Sequence, residues 1–404
     1  MTSRRRLVSC YLLLFLIFIV ATPLLSANHP YPHQHDGAQV IATMLYQKHD
    51  PIIVGGDEEF VLNGFTGSGT AEDPYVINEL NITNSGTCIT IMNTTAYFIL
   101  KDCFVKATYS NHGIILQNVT FGTIEACKAT TCHAGIYLHQ TMNCTIENST
   151  VHSSRTGILF NSAYSCSISN SKTFRNTDGI RIIASDYCRA TGNRVYRNTD
   201  IGISLWTLVQ NCTVYGNSLG RNGGRYPHTQ ESNAEDYGQD NLWDDNVSTG
   251  NYWTDYDNDG SYEIAIGTAF SVDKHPHLLN DTSAPTINSP SDVMFEQGSS
   301  GANVTWAARD EFPYEYALQK DGIALIRLIW DGEDIEIHMT GAQPGLHNFT
   351  LFVYDAFGNV VNDTVNANII ADVFGGAGTE LVAAASFASV VLVVIVLLAV
   401  KRMR

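Results

Sequence analysis

The chain has 404 residues, 44% of them apolar, with 40 acidic against 23 basic side chains and a formal net charge of −17. That apolar share supports packed cores, so the chain is not of the disordered class. The acidity argues against nucleic acid or anionic lipid as partners and leaves calcium, cationic partners or plain solubility in salt as its meaning.

Arg4, Arg5 and Arg6 precede an apolar run from Leu7 to about Leu25, with small Ser26 and Ala27 after it. This order predicts a secretory signal peptide over 1–27, with an uncleaved anchor as the alternative. An N-terminal segment over 28–50 follows. Its His29, His33 and His35 are of a type that binds copper, but no Met or Cys accompanies them and a copper centre is not expected.

From 51 to 280 a repeat governs the chain. Gly-Ile pairs begin at Gly113, Gly135, Gly157 and Gly179, each 22 residues after the last, with a fifth at Gly202. Each pair opens a stretch alternating at period two, the pattern of a half-buried strand. A unit this short cannot bury an apolar face alone, so copies must stack as a solenoid. The spacing predicts a right-handed parallel β-helix. Ile114, Leu116, Ile136, Leu138, Ile158, Phe160, Ile180, Ile182, Ile203 and Leu205 should point inward. Ile115, Tyr137, Leu159, Arg181 and Ser204 should point outward, followed by Gln117, His139, Asn161, Ile183 and Trp206. Eight cysteines remain after signal removal and several keep the same period, Cys144, Cys166 and Cys188 among them. In-register side chains point the same way, which favours buried thiols, while an even count in an exported chain leaves disulfides open.

Between Glu231 and Asp281 the period decays and twelve acidic residues accompany a single Lys274, as in a cap. Within it, GNYWTDYDNDG places Asp255, Asp257 and Asp259 at positions 1, 3 and 5 of a loop, with Ser261 at 7 and Glu263 at 9. Hard oxygen donors at that spacing suit calcium. Position 12 is Ile266 rather than a glutamate, so Asp273 or Asp244 would have to supply a further donor. Tyr252 and Trp253 should cover the apolar end of the last rung.

After a Thr-Ser-Ala-Pro linker, alternating strands over 285–372 predict an antiparallel sandwich of immunoglobulin type. A linker at 373–380, a twenty-residue apolar run at 381–400 and a basic tail at 401–404 predict one membrane-spanning helix, with the ectodomain outside the cell. Glycosylation sequons stand at Asn81, Asn93, Asn118, Asn143, Asn148, Asn211, Asn246, Asn280, Asn303, Asn348 and Asn362.

GFTGSGTAEDPYVI, the Gly-Ile rungs and NLWDDNVSTGNYWTDYDNDG together make the chain resemble NosD-like β-helix proteins, a family with carbohydrate-binding and sugar-hydrolase relatives. The sandwich is similar to Ig-like modules that follow such solenoids in archaeal cell-surface proteins. The resemblance implies the fold, and copper through the family's name. The reading adopted is a membrane-held surface protein whose β face binds a glycan or another surface protein without catalysis. Its rival is a polysaccharide lyase or glycoside hydrolase using Asp178, Asp200 and Arg181, which requires acidic and basic groups to converge on one outer groove. Tyr137 and Trp206 are the candidate sugar-stacking rings. A copper accessory protein is a further alternative and requires histidines gathered in space.

Overall fold

The computed structural model describes residues 47–223, 231–297, 302–339 and 343–371. The expected signal peptide, the His29, His33 and His35 tail, the linker at 373–380 and the apolar run at 381–400 lie outside the described residues. Among the described residues no helix is long and apolar enough to cross a membrane.

From Gln47 to Leu278 the chain winds as a right-handed parallel β-helix. A ten-stranded sheet runs from Gln47–Lys48 to His277–Leu278, a nine-stranded sheet from Ile52–Val54 to Ile266–Gly267, and a seven-stranded sheet from Tyr75–Asn78 to Thr213–Tyr215. The Gly-Ile strands form the nine-stranded sheet, and pairing advances one repeat per rung: Ile136 lies between Ile114 and Ile158, Leu138 between Leu116 and Phe160. All ten residues expected inside are 0% exposed. Of those expected outside, Ser204 is the exception: it is buried beneath Glu235 of the next rung.

The glycine of each pair is required by close approach. A Cβ at Gly113, Gly157, Gly179 or Gly202 would stand 2.3–2.5 Å from the carbonyl oxygen of the rung above, so no side chain fits. Asparagine has a different post. Asn93, Asn118, Asn143, Asn148, Asn211 and Asn246 hold φ between 51° and 60°. Asparagine tolerates this left-handed region better than most residues. The fold alone therefore accounts for asparagine at six of the eleven sequons.

Two ladders of buried polar side chains run inside the corners of the solenoid. In one, backbone N–H groups of Ser149, Ser171, Asn193 and Asn217 donate to Ser171 Oγ, Asn193 Oδ1, Asn217 Oδ1 and Asn251 Oδ1 at 2.9–3.1 Å. In the other, Ser154, Asn176 and Asn198 donate likewise to Asn176, Asn198 and Asn222. Each amide also donates to the next amide oxygen and to a carbonyl of the preceding rung, as Asn193 does to Asn217 Oδ1 and Ile168 O. The full capacity of these side chains is thereby used, which is why they can be buried at all. The cysteines serve the same purpose: Cys144 N and Cys188 N donate to the Sγ atoms of Cys166 and Cys212 at 3.4 and 3.3 Å. All eight described cysteines are buried free thiols.

Helix Asp57–Leu62, absent from the sequence reading, closes the first rungs by burying Phe60 against Tyr75, ring centroids 4.7 Å apart. At the other end Trp253 is wholly buried and stacks on Tyr262 at 4.0 Å. Tyr252 departs from expectation: it is 40% exposed and stacks on His277 instead. Tyr252–Trp253 is itself a strand, and one more, His277–Leu278, follows it in the sheet.

Residues 286–370 form a second β unit with its own core around Trp306, Leu318, Trp330, Ile337, Leu351 and Val365. Its five-stranded sheet runs Val293–Glu296, Val360–Ile370, Gly345–Asp355, Pro313–Lys320, Ile323–Ile329. The expected antiparallel pattern holds except at Val293–Glu296, which pairs in parallel with Val360–Ile370. This unit is no free spacer. It docks on the outer face of the ten-stranded sheet, where Phe174, Tyr196, Phe312 and Ala356 make one buried apolar cluster. Around that cluster Tyr196 donates to Pro313 O at 2.8 Å, Arg175 pairs with Glu315 at 2.7 Å, and Lys128 pairs with Asp331 at 2.9 Å.

Candidate functional site

The second β unit lies over the ten-stranded sheet, and among the described residues it is the outward columns of the nine-stranded sheet that carry the chemistry. The column after the glycines reads Tyr137, Leu159, Arg181, Ser204, Glu235 from rung to rung. Arg181 sits at its centre. Arg181 Nη1 donates to Asp178 Oδ2 at 3.1 Å, and its guanidinium lies 4.7 Å over the ring of Trp206. Its Nε is buried with no partner among the described residues. Trp206 in turn meets Tyr237 edge-on at 4.9 Å.

Ser204 Oγ donates to Glu235 Oε1 at 2.6 Å, and both residues are buried. Burial is the main cause that raises the Glu235 carboxyl; the charges of Asp178 and Asp200 add to it, against the Ser204 hydrogen bond and Arg181. Asp178 is raised for the same first reason, with Arg181 opposing and Asp200 adding. Three carboxyls therefore act on one another around one arginine. Of the candidates for an acid–base pair, Asp178 is bonded to Arg181 and feels the charge of Asp200, and Trp206, the candidate stacking ring, lies against the same guanidinium. Ser204 was placed on this face without a role, and Glu235 and Tyr237 were missed, because Glu235 follows Ser204 by 31 residues and the 22-residue period no longer points to it.

Tyr137 lies along the same face, toward the earlier rungs. It is flanked by His112 at 4.9 Å and His139 at 5.6 Å, with His133 edge-on to His112 at 5.1 Å. The Nδ1 atoms of all three histidines are buried and unpartnered among the described residues. Burial, then the neighbouring His133, brings His112 down to about 4, so its ring is neutral at neutral pH. Trp206 has one ring face taken by Arg181, so its role at a sugar would be to hold the guanidinium as much as to stack.

The aspartates of the cap take other work. Asp255 Oδ1 accepts from Asn233 at 2.9 Å and from Tyr262 at 3.1 Å, ending one amide ladder. Asp273 ends the other. Asp257 accepts from the N–H of Asp259. Asp244 accepts from the N–H groups of Asn246 and Lys274. No three of Asp255, Asp257, Asp259 and Glu263 bring an oxygen each within 4.8 Å of one another, and Ser261 is exposed. The loop does not close as the spacing suggested, because Asp255 turns back to Asn233 and Tyr262. The group that does converge among the described residues is Asp281, Asp310 and Asp355, at the seam with the second β unit. There Asp355 accepts the N–H groups of Phe357, Gly358 and Asn359. Burial, with the charges of Asp355 and Asp281, pushes Asp310 up to about 6.

Fold and face define a β-helix protein whose nine-stranded sheet carries charged and aromatic side chains on its outer face. The chain belongs to the NosD family: the model described as periplasmic copper-binding protein (NosD) matches residues 51–258, half of the chain. No curated protein sequence matches it. Among solved structures it is similar to a point mutant of the periplasmic alginate epimerase AlgG, at 17% identity and TM-score 0.34 over 42% of this chain and 45% of that one. The alginate lyase from Paenibacillus sp. str. FPU-7 gives 12% identity and TM-score 0.36 over 50% of this chain and 76% of that one. XylC in complex with xylose gives 11% and 0.36 over 72% and 61%. The chain spans less than half the length of the epimerase, and likeness at this level implies no chemistry.

Copper is the metal that the family's description implies. The described histidines do not fit a closed centre for it: no three histidine, cysteine or acidic donors on this face lie within 4.8 Å of one another, and the thiols are spent inside the rungs. Copper binding at coordination distance needs ligand atoms closer than that.

Proposed function

We propose that the outer face of the nine-stranded sheet binds an extended glycan, in a protein exported by its N-terminal segment and held to the membrane by 381–400. The observation that carries this is Arg181, fixed between Asp178 and Trp206 with a buried Nε left to bond. Sugar sites pair such fixed polar donors with aromatic surface. Tyr137 and the unpartnered histidines extend the same face by further rungs at about 4.8 Å each. A surface protein that carries sugars is the alternative partner, and the sandwich, read as immunoglobulin-type, acts as a buttress.

A second reading, glycan cleavage, is favoured by the gathering of Asp178, Asp200 and Glu235. A buried, raised carboxyl such as Glu235 can give its proton to a leaving glycosidic oxygen. A second carboxylate, the exposed Asp200, can take a proton from the attacking water whose hydroxyl joins the sugar carbon. The test is to incubate the full chain with uronate-containing and neutral polysaccharides, with and without calcium, measuring affinity and released reducing ends. Binding weakened about tenfold by Arg181→Ala, the loss of one bidentate-capable charged donor, supports the first reading. Reducing ends abolished by Glu235→Gln and Asp200→Asn establish the second. Absence of binding across the panel removes both.

A further inference from the structure

The second β unit does not seal its whole contact with the solenoid. Where its segment from Asp331 to Glu333 crosses the ten-stranded sheet, a cleft of about 290 Å³ remains between the two. Its floor is made of two columns that repeat from rung to rung. One is the first position of the short strands, with Lys128, Thr150, Lys172 and Arg194 in register. The other is the turn just before, where Asp102, Ala126, Asn148 and Asn170 hold φ between 49° and 51°. The cations of the first column are treated unequally. Lys128 meets Asp331 at 2.9 Å and Glu333 at 2.8 Å, and Arg194 meets Glu311 at 2.6 Å. Lys172 lines the cleft between them and has no hydrogen-bond acceptor or carboxylate partner among the described residues. Gly332 leaves its ammonium open, since a Cβ there would stand 3.5 Å from Lys172 Nζ and cover it. The side-chain amides of Asn148 and Asn170, also on the cleft, make no hydrogen bond among the described residues either.

Burial, then the charge of Arg194 one rung on, lowers the pKa of Lys172, with Asp331 opposing. A largely buried ammonium beside a second cation is unfavourable unless an anion joins it. The acids stand at the other end of the cleft. Asp331 and Glu333 share the one charge of Lys128, two rungs or roughly 10 Å from Lys172, and Asp102 lies a further rung back. Carboxylates placed there repel a second negative charge but accept hydrogen bonds from hydroxyl groups. We infer that this cleft binds one sugar acid, a uronate whose carboxylate meets Lys172 and Asn170 and whose hydroxyl groups reach toward Glu333 and Asp102. The volume stands at the lower limit of about 300 Å³ for ligand pockets, enough for one monosaccharide and not for a chain. An α-amino acid carries its two charges too close together to reach both ends, and sulfate brings a second negative charge and no hydroxyl donors. The cleft lies off the nine-stranded sheet, so this inference does not rest on the glycan reading.

Calorimetric titration of the full chain in mild detergent with glucuronate, and with glucose and sulfate beside it, tests the proposal. Glucuronate is expected to bind, with glucose and sulfate each about tenfold weaker or more, since each lacks one half of the recognition. Lys172→Met, similar in length and uncharged, should weaken glucuronate about tenfold or more while holding or raising the melting temperature, because a charge without a partner leaves a largely buried place. Asn170→Gly keeps the turn, as Gly192 does at the next position of the same column with φ 65°, and should weaken binding about threefold to tenfold. Failure of glucuronate to bind, sulfate binding as tightly, or affinity unmoved by both substitutions overturns the proposal. So does a fall in melting temperature with Lys172→Met, which would mark the lysine as structural.

Discussion

Asn251 gives its backbone N–H to Asp273 Oδ2 at 2.7 Å, and the same oxygen accepts from Trp253 Nε1 at 2.9 Å. Each amide of the ladder offers a proton toward the later rungs, so the last amide needs an acceptor, and the carboxyl oxygen of Asp273 is that neighbour. Asp273→Ala therefore leaves several buried donors without an acceptor. It should lower the unfolding free energy by about 3 kcal/mol or more. Asp255→Ala, at the more exposed end of the other ladder, should cost about 1 kcal/mol. Chemical denaturation of the three proteins, compared by midpoint at equal slope, checks the ranking.

Tyr196 joins the solenoid to the second β unit. Tyr196→Phe removes one hydrogen bond to Pro313 O and should cost about 1 kcal/mol. Tyr196→Ala also empties a buried ring from the cluster with Phe174 and Phe312, at about 3–5 kcal/mol. The larger change should uncouple the two units. Calorimetry should then show two transitions where the parent shows one, and proteolysis should open the segment near Thr282.

Much of the solenoid was legible because in-register stacking makes the structural period a sequence period. Ile136 and Leu138 could be placed inside from spacing alone. What spacing could not show was interaction across a break in the period. Glu235 joins Ser204 only because an excursion of the chain ends in register with the previous rung. Asn193 and Asn217 went unremarked, since nothing in a polar side chain announces that its partners are buried with it. Phe174 and Tyr196 are large aromatics buried outside the main solenoid core, and only the fold of 286–370 reveals what covers them.

Gly157→Ala tests the close approach at the corner. The added carbon would stand 2.4 Å from Gly179 O, a backbone atom held by the next rung. Backbone of a stacked rung has little room to give, so the expected loss is about 3 kcal/mol, in the range of overpacked cores. Soluble yield and thermal midpoint should fall together.

The seam titrates in a defined direction. Asp310 is an acid whose pKa rises from 3.8 unfolded to about 6 folded, so the folded seam binds the extra proton. Its contribution is fully present below the lower value and is lost as pH rises through the upper one. The difference in melting temperature between the parent and Asp310→Asn should therefore change between pH 5 and pH 7.5, the parent losing ground as pH rises. His112 and His152, both brought down to about 4 by burial, act oppositely as pH falls, but they are common to both proteins and cancel in the difference. A difference that stays flat over this range would refute the assignment.

The one-way hydrogen bonding of the inner amides gives the molecule unequal ends but an interchangeable middle. A rung placed between Asn193 and Asn217 would accept from below and donate above as its neighbours do, leaving Phe60 at one end and Asp273 at the other undisturbed. Reach along the groove can thus lengthen by whole repeats at no expense to either terminus, while a change at the acceptor end unsettles every rung behind it. Lineages of this architecture should vary in rung number far more readily than in how they finish.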